Sequence, residues 1–511
     1  MVNFIRESDI VKKPQHSSFK LNPLVAAIAM ALTAQFPANV AQAGSGFGSG
    51  IDNNRAPVAI PTYYANSPAG PVPTFDMATG KMTISNVTAL PNPINTGKAL
   101  RKFVDTLPVI PAAVPEKWVN LNGVTTNDDY YEIAAVEYTQ QMHSDLPKAT
   151  RLRGYVQLMT PGLLALGKVA KSFTTLDGKV LSVVDTPHHL GPIINSTKGT
   201  AVRVKFTNLL PSGAGGNLFL PVDTSITGAG VGPDGVTPYT QNRANMHLVG
   251  GEAPWISAGT PHQWIAPAGE TNPASDVLGN AIAGGQLDAR GASVKNVPDM
   301  ADPGPGSSTL YFPNDLSARF TFIQDRTSGL TRLNAYAGLE AGYVVSDAAE
   351  QKLITDLVIP GAADTKTLII EDKTFVPDNV AQQDAKWDTA KWGQPGDLWL
   401  PHVYEPNQDP NSISGANPVG RWDYGPLFWP IFPSMRGTLP EVSFTPEAYL
   451  DTPLINGTAY PTMNVDPKAY RLRLLNASND RYVNLCFYKA EGSVQAPQLD
   501  QNGNPFVDKN G

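Results

Sequence analysis

The sequence predicts an all-β protein, a sandwich or barrel of short strands. Several short stretches alternate apolar and polar residues, the pattern of a strand with one buried face. The chain of 511 residues contains 45 glycines and 46 prolines, which favour turn-rich loops between strands over helical bundles. Strong helical periodicity is scarce. The length is sufficient for two or three domains.

The first 43 residues are predicted to be a signal peptide. A basic start that includes Lys12 and Lys13 precedes an apolar run at 24–33, which is too short to span a bilayer. An Ala-x-Ala cleavage site follows at 41–43. The alternative interpretation is an uncleaved interfacial anchor. Since no later segment is long and apolar enough to cross a membrane, the mature chain is expected to be secreted or periplasmic.

Net charge and cysteine content argue against a nucleic-acid partner and against stabilisation by a disulfide. The net charge of −7 disfavours a nucleic-acid partner, which usually requires a basic surface. Cys486 is the one cysteine, so an intrachain disulfide is impossible and stability must come from packing.

Residues 44–128 are interpreted as a Gly/Pro-rich linker and irregular extension. The linker, 44–50, alternates glycine with serine and phenylalanine, and the rest is rich in proline, asparagine and threonine. Two states of residues 51–128 remain open: an extension lying on the first domain, or disorder.

Strands are predicted from residue 130 onward. The alternating stretches are 202–207, 318–323 and 470–476, and 341–345 and 367–370 are further strand candidates. The segments 202–208 and 470–476 share one pattern: apolar, Arg, apolar, basic, apolar, any residue, Asn. The same strand in two similar sandwiches would produce this echo, although chance alternation would too.

Residues 245–264 resemble the first copper motif of the multicopper oxidases, which reads His-x-His-Gly-Gly followed by Trp-x-x-Asp-Gly. His247 stands at the first histidine, whereas Val249 and Ala258 replace the second histidine and the aspartate. Further blocks similar to a bacterial branch of that family are 137–147, 202–211, 327–338 and 470–481. The resemblance implies Greek-key cupredoxin sandwiches, copper as cofactor, and electron transfer from a substrate to a three-copper cluster that reduces dioxygen to water.

The second copper motif of the family, His-Asp-His, is matched by Gln324-Asp325-Arg326. Copper prefers imidazole nitrogen and thiolate, and a His-x-His pair on a strand points both rings the same way. Gln324 binds copper poorly, and Arg326 adds a permanent positive charge. His247 is therefore the single candidate metal ligand, one imidazole makes a weak site, and no catalytic or other cofactor-binding residue is predicted.

The remaining histidines and the cysteine are interpreted structurally. His188 and His189 are adjacent, so on a strand they face opposite sides and cannot share a metal. His143 and His402 lie outside the copper motifs, and His262 is expected to support its loop by hydrogen bonds. Cys486 is not flanked by histidines and is interpreted as a small buried apolar residue.

Two cupredoxin-like domains are predicted, a complete one at 129–348 and an incomplete one at 349–511. The favoured function is an exported multicopper-oxidase-like protein without a trinuclear cluster, acting as a non-catalytic binding or assembly subunit, with a possible partner chain completing the second domain. The alternative is a copper-dependent oxidase of metal ions or phenolic compounds that uses O2, with the missing domains supplied by another chain. A third possibility is a truncated gene product with no role.

Overall fold

The computed structural model describes residues 73–76, 81–84, 100–404, 442–444, 450 and 452–485. Within 100–404 the gaps are 225, 260–262, 277–278, 283–296, 379 and 384–386. The predictions for the signal peptide at 1–43, for His262 and for Cys486 lie outside the described residues. Within the described part, none of the helices has both the length and the hydropathy needed to cross a bilayer.

Strands dominate the described residues. They are β1 (Pro73–Asp76), β2 (Lys81–Ile84), β3 (Glu116–Val119), β4 (Thr125–Gln140), β5 (Thr150–Gln157), β6 (Lys171–Thr174), β7 (Val180–Val183), β8 (Leu190–Thr197), β9 (Val202–Asn208), β10 (His247–Val249), β11 (Ser307–Phe312), β12 (Arg319–Gln324), β13 (Glu340–Ser346), β14 (Thr365–Lys373), β15 (His402–Tyr404), β16 (Val442–Phe444), β17 (Thr452–Ile455), β18 (Thr458–Ala459) and β19 (Arg471–Asn476). The α-helices are short: α1 (Pro161–Ala165), α2 (Thr331–Ala337), α3 (Ala348–Thr355) and α4 (Val380–Gln383). The predicted all-β class is confirmed.

Two mixed sheets face each other in the first sandwich. One has the order β11-β9-β4-β3, with β5 also paired to β4, and the other has the order β10-β12-β13-β8. Apolar side chains from both sheets meet between them, among them Val204 and Phe206 from the first sheet and Ile323 and Tyr343 from the second. Burial of these inner faces is the main source of stability in such a sandwich.

A second sheet system begins at β14 and has the order β18-β17-β14-β19. It contacts the first sandwich through a shared apolar cluster that includes Tyr138, Leu152, Phe375 and Leu454. Ile369 of β14 also packs against Leu190 of β8 and Val344 of β13.

The predicted echo between 202–208 and 470–476 has a structural counterpart. β9 pairs in parallel with β4, and β19 pairs in parallel with β14. At the end of each strand an asparagine turns the chain in the same way: Asn208 Oδ1 accepts from the backbone N–H of Leu210, and Asn476 Oδ1 accepts from that of Ser478. The two strands are equivalent in both respects.

All five predicted strand stretches fall within or overlap β9, β12, β13, β14 and β19. The region interpreted as irregular, 44–128, contains β1, β2 and β3, and β3 joins the sandwich by pairing with β4. Ala112 also bridges Ile193 beside β8. The exposure of side chains alternates along the four residues of β3, as expected for a strand with one face towards the protein.

Candidate metal centre

The sheet β10-β12-β13-β8 brings the two copper-motif segments together. In the register of this sheet His247 lies opposite Gln324, and Gln324 lies opposite Glu340 on the next strand. Two of the positions that the resemblance assigns to copper ligands, His247 and Gln324, therefore lie in one row across adjacent strands, with Glu340 as a further member that the sequence did not single out.

A buried carboxylate fixes the two motif segments to each other. Asp325 Oδ1 accepts from the backbone N–H of Asn245 at 2.8 Å, and its Oδ2 accepts from the backbone N–H of Thr327 at 2.9 Å and from Asn334 Nδ2 at 3.1 Å. In return, Asn245 Oδ1 accepts from the backbone N–H of Arg326 at 2.8 Å. Burial raises the pKa of Asp325, and these hydrogen bonds oppose that rise.

Behind Asp325 lies a fully buried arginine. Arg153 donates from Nη1 to Asn334 Oδ1 and to the backbone oxygen of Gln241, both at 2.9 Å, and from Nη2 to the backbone oxygen of Gly216 at 2.7 Å. Its Nε lies 3.1 Å from Glu137 Oε1. Burial lowers the pKa of Arg153, whereas the carboxylate of Glu137 raises it. The donors of this guanidinium are thus matched by acceptors, as a buried cation requires.

His247 faces an arginine where a metal ligand would face a metal. Its Nε2 lies 3.3 Å from Nη1 of Arg326, and its Nδ1 is buried near the backbone of Ala258 without a hydrogen bond of good geometry. Burial lowers the pKa of His247, and the charge of Arg326 lowers it further. Because a guanidinium can only donate, the neutral ring must carry its proton on Nδ1 and present its lone pair at Nε2.

The other motif positions are used for structural contacts. Gln324 Nε2 donates to Oε1 of Glu340 at 2.5 Å. The backbone oxygen of Val249 accepts from Thr321 Oγ1 at 2.6 Å, and the Val249 side chain has no ligand atom. An amide bound to a carboxyl group and an apolar side chain therefore occupy two positions where the family pattern has histidines.

These residues do not fit a three-copper cluster. The lone pair of His247 is directed at a permanent cation, and copper prefers imidazole or thiolate donors that Val249, Gln324 and Arg326 lack. In the part of the chain that the structure describes, no group of three or more His, Cys, Asp or Glu side chains is arranged to hold a metal ion.

A buried acid–base cluster adjoins the same row. His189 Nε2 lies 2.7 Å from Glu371 Oε2, and Lys373 Nζ lies 3.1 Å from Glu371 Oε1. Burial alone would raise the pKa of Glu371, but His189 and then Lys373 lower it to about 2. Burial, followed by the charge of Glu371, raises the pKa of Glu340 to about 8. Glu371 therefore carries the negative charge and Glu340 the proton.

The other histidines among the described residues make contacts within the chain. His188 donates from Nδ1 to the backbone oxygen of His189 at 2.7 Å, whereas the ring of His189 contacts Glu371, so the two adjacent rings have different partners. His143 Nε2 lies 2.8 Å from the backbone oxygen of Arg101. His402 Nδ1 lies 2.9 Å from the backbone oxygen of Leu400, and the His402 ring packs among three tryptophans. The His189–Glu371 pair has no sequence signal beyond the charged residues 371–373 at the end of an apolar strand.

Comparisons with known proteins agree with the motif blocks. No protein-family model matches the chain. A laccase from Bacillus subtilis (strain 168) is 26% identical over 389 residues, which cover 76% of this chain and 51% of the relative. A laccase from Haloferax volcanii is 25% identical over 399 residues, which cover 77% of this chain and 46% of the relative. The chain spans about half the length of the curated relatives it matches.

Among solved structures, a laccase from Pediococcus acidilactici Pa5930 aligns with a TM-score of 0.37 and 16% identity, covering 74% of this chain and 48% of the other. The sandwich of mixed sheets, the retained motif framework and the sequence relatives define the class of protein as a Greek-key cupredoxin-fold protein. The chain is similar in sequence to proteins named laccase or multicopper oxidase.

Proposed function

We propose that this chain is a non-catalytic member of the multicopper oxidase family, which acts by binding and not by reducing dioxygen. The observation that carries the proposal is the 3.3 Å separation between Arg326 Nη1 and His247 Nε2. A copper ion bound to that nitrogen would lie next to a permanent positive charge. Two unit charges about 4 Å apart near a protein surface repel by about 4 kcal/mol.

The hydrogen bonds that hold the two motif segments together support the proposal. Asp325 holds both motif segments in place through backbone and side-chain hydrogen bonds, and these contacts need no metal. Because the carboxylate of Asp325 is satisfied by protein donors alone, these contacts stabilise the two segments without copper. Loss of the ligands and preservation of the scaffold together favour a binding or assembly role.

Copper loading of the purified full chain tests the proposal. The chain is loaded with copper(I), oxidised and freed of loose metal, and then copper per chain, the copper(II) electron paramagnetic resonance spectrum and oxygen uptake with a phenolic donor are measured. We expect at most one weakly bound copper and no oxygen uptake above that of free copper. Three tightly held coppers per chain, or catalysed oxygen uptake, would contradict the proposal.

Two variants separate a residual copper site from a structural histidine. His247→Ala should abolish any weak copper binding by the chain. If His247 instead stabilises the fold, the same variant should lower the free energy of unfolding by about 1–3 kcal/mol through loss of a polar contact. Arg326→Gln removes the cation but leaves His247, so any copper site that the arginine suppresses should strengthen in that variant.

A copper-dependent oxidase is the second candidate, and the match to proteins named laccase over 76% of this chain favours it. In that case another chain would have to supply the ligands that are lacking here, and the substrate would be a metal ion or a phenolic compound. Purification of the native assembly under non-denaturing conditions tests this. Copper that co-purifies in fixed ratio with this chain and supports oxygen uptake would favour the oxidase.

Export to the periplasm or the medium is part of the proposal. It is supported by the basic start, the apolar run at 24–33 and the Ala-x-Ala site at 41–43. N-terminal sequencing of exported protein should find Gly44 first, whereas an intact Met1 in that fraction would refute cleavage.

A further inference from the structure

Arg326 presents an exposed guanidinium that no carboxylate of the described residues neutralises. Several other arginines of the chain are paired with acids, as in Arg101 with Asp145 and Arg481 with Asp372. The side chain of Arg326 is directed at the uncharged ring of His247 instead. Its positive charge is therefore available to an external anion.

His247 orients this guanidinium. Its Nε2 accepts from one terminal nitrogen of Arg326 and leaves the remaining N–H groups of the fork free to donate. The backbone N–H of Arg326 is held by Asn245 Oδ1, so the residue is anchored at both its main chain and its side chain. Because less side-chain freedom is lost on binding, an arginine held in this way binds an anion better than a mobile one.

The loop beside the His247 ring carries an exposed aromatic side chain. Trp255 is 66% exposed. It lies one turn before Ala258, whose backbone adjoins the His247 ring. An exposed indole on this loop suits a ligand that has both an anionic group and an apolar body.

We propose that Arg326 binds the carboxylate of a small organic acid, with His247 as the positioning residue. A planar guanidinium can donate to both oxygens of a carboxylate at once, which gives a stronger and more directional contact than a lysine can make. The proposal rests on the non-catalytic function above, because copper at His247 would displace the arginine. It names the class of ligand that the binding role would serve.

The test measures binding of benzoate, acetate and inorganic phosphate to the full mature chain by calorimetry, and follows the histidine nitrogens by NMR. We expect saturable benzoate binding with a Kd of about 1 mM or tighter, weaker acetate binding, and a shift of the His247 resonances on titration. Arg326→Gln should weaken benzoate binding at least about tenfold, whereas Arg326→Lys should retain part of it.

Arg319→Gln is the matched control. Arg319 is an exposed arginine at the opposite end of β12 whose guanidinium is held by Ser317, so its loss should leave benzoate binding unchanged. Thermal melts of each variant exclude unfolding. Phosphate that binds at least as tightly as benzoate would overturn the assignment to carboxylates. Equal binding by wild type and Arg326→Gln would overturn the site. If that occurs while copper still fails to load, the non-catalytic function stands without it.

Discussion

The side-chain amide of Gln324 donates a hydrogen bond to Oε1 of Glu340 across the β12–β13 pair. A position that aligns with a copper ligand thus serves to bind a buried carboxyl group. Glu340 in turn lies close enough to Glu371 for the charge of Glu371 to raise its pKa. The His247–Gln324–Glu340 row and the His189–Glu371–Lys373 cluster are therefore electrostatically coupled through Glu340 and Glu371.

Glu340 should make the stability of the protein depend on pH. An unfolded glutamate titrates near pH 4.3, whereas burial and Glu371 raise the pKa of Glu340 to about 8. Between these values the native state keeps a proton that the unfolded state has lost, so the free energy of unfolding falls as the pH rises. We expect a loss on the order of 2–5 kcal/mol across this range, measured by urea unfolding at a series of pH values.

Glu340→Gln should remove that slope, because glutamine stays neutral and can still bond to Gln324. Glu252→Gln, at an exposed glutamate after β10, is the control and should leave the slope unchanged. A wild-type slope that persists in Glu340→Gln would show that another group carries the pH dependence.

Glu371 should contribute stability in the opposite sense. Its lowered pKa means that the native state prefers the ionised form, so this contribution is present above about pH 4.3 and is lost as the pH falls towards 2. Glu371→Gln leaves His189 and Lys373 without their carboxylate, which should cost about 3–5 kcal/mol. The double variant Glu371→Gln with Lys373→Met should cost clearly less than the sum of the two single variants.

Urea unfolding of the two single variants and the double variant gives the coupling energy directly. The pair Lys352 on α3 and Asp356 directly after it is the control, since both side chains are exposed and their coupling should be below about 1 kcal/mol. Strict additivity at Glu371 and Lys373 would mean that the buried pair is not coupled.

A two-residue period was the clearest sequence signal for strands. Apolar and polar residues alternate over 202–207 in β9 and over 470–474 at the start of β19, so these patterns were sufficient. β8 was missed because it is buried on both faces over most of its length, which removes alternation, and because a Gly-Pro pair lies at its start. β3 was missed because it has only four residues in a segment rich in proline and asparagine.

The candidate site was only partly predictable for a similar reason. The resemblance located His247, Gln324 and Arg326, and it placed a positive charge where a copper ion would sit. It did not reveal Glu340, because nothing in its local sequence marks it as the neighbour of Gln324. The His189–Glu371 contact joins residues 182 positions apart, and such a pairing depends on how the two sheet systems meet.

Asp325 should be a sensitive polar residue of the two motif segments. Both carboxylate oxygens are used, and together they accept from Asn245, Thr327 and Asn334. Asp325→Asn replaces one acceptor oxygen by a donor amide that would face other donors, so we expect a loss of about 2–4 kcal/mol in the free energy of unfolding. Denaturant unfolding measures this loss.

Asp234→Asn provides the control for Asp325. Asp234 lies in an exposed turn and accepts from the backbone N–H groups of Val236 and Thr237, which asparagine can also satisfy through its oxygen. A loss at Asp325 no larger than that at Asp234 would contradict the role of Asp325 in fixing the two motif segments.

Gly338 should tolerate no side chain, because it ends α2 where the chain lies close to both Arg153 and His189. Its φ is +116°, and a Cβ there would lie 2.3 Å from the backbone oxygen of Arg153 and 3.0 Å from His189 Nδ1. Gly338→Ala must therefore move α2 away from β5 and disturb Arg153 and His189 together. We expect a loss of about 3 kcal/mol or more in the free energy of unfolding, measured by thermal or denaturant unfolding.

Gly123→Ala is the matched variant. The φ of Gly123 is +78°, but a Cβ there meets nothing within 4 Å, so only the backbone cost of about 1 kcal/mol should appear. Equal losses at the two glycines would show that backbone conformation, and not the close approach of α2 to β5, determines the effect.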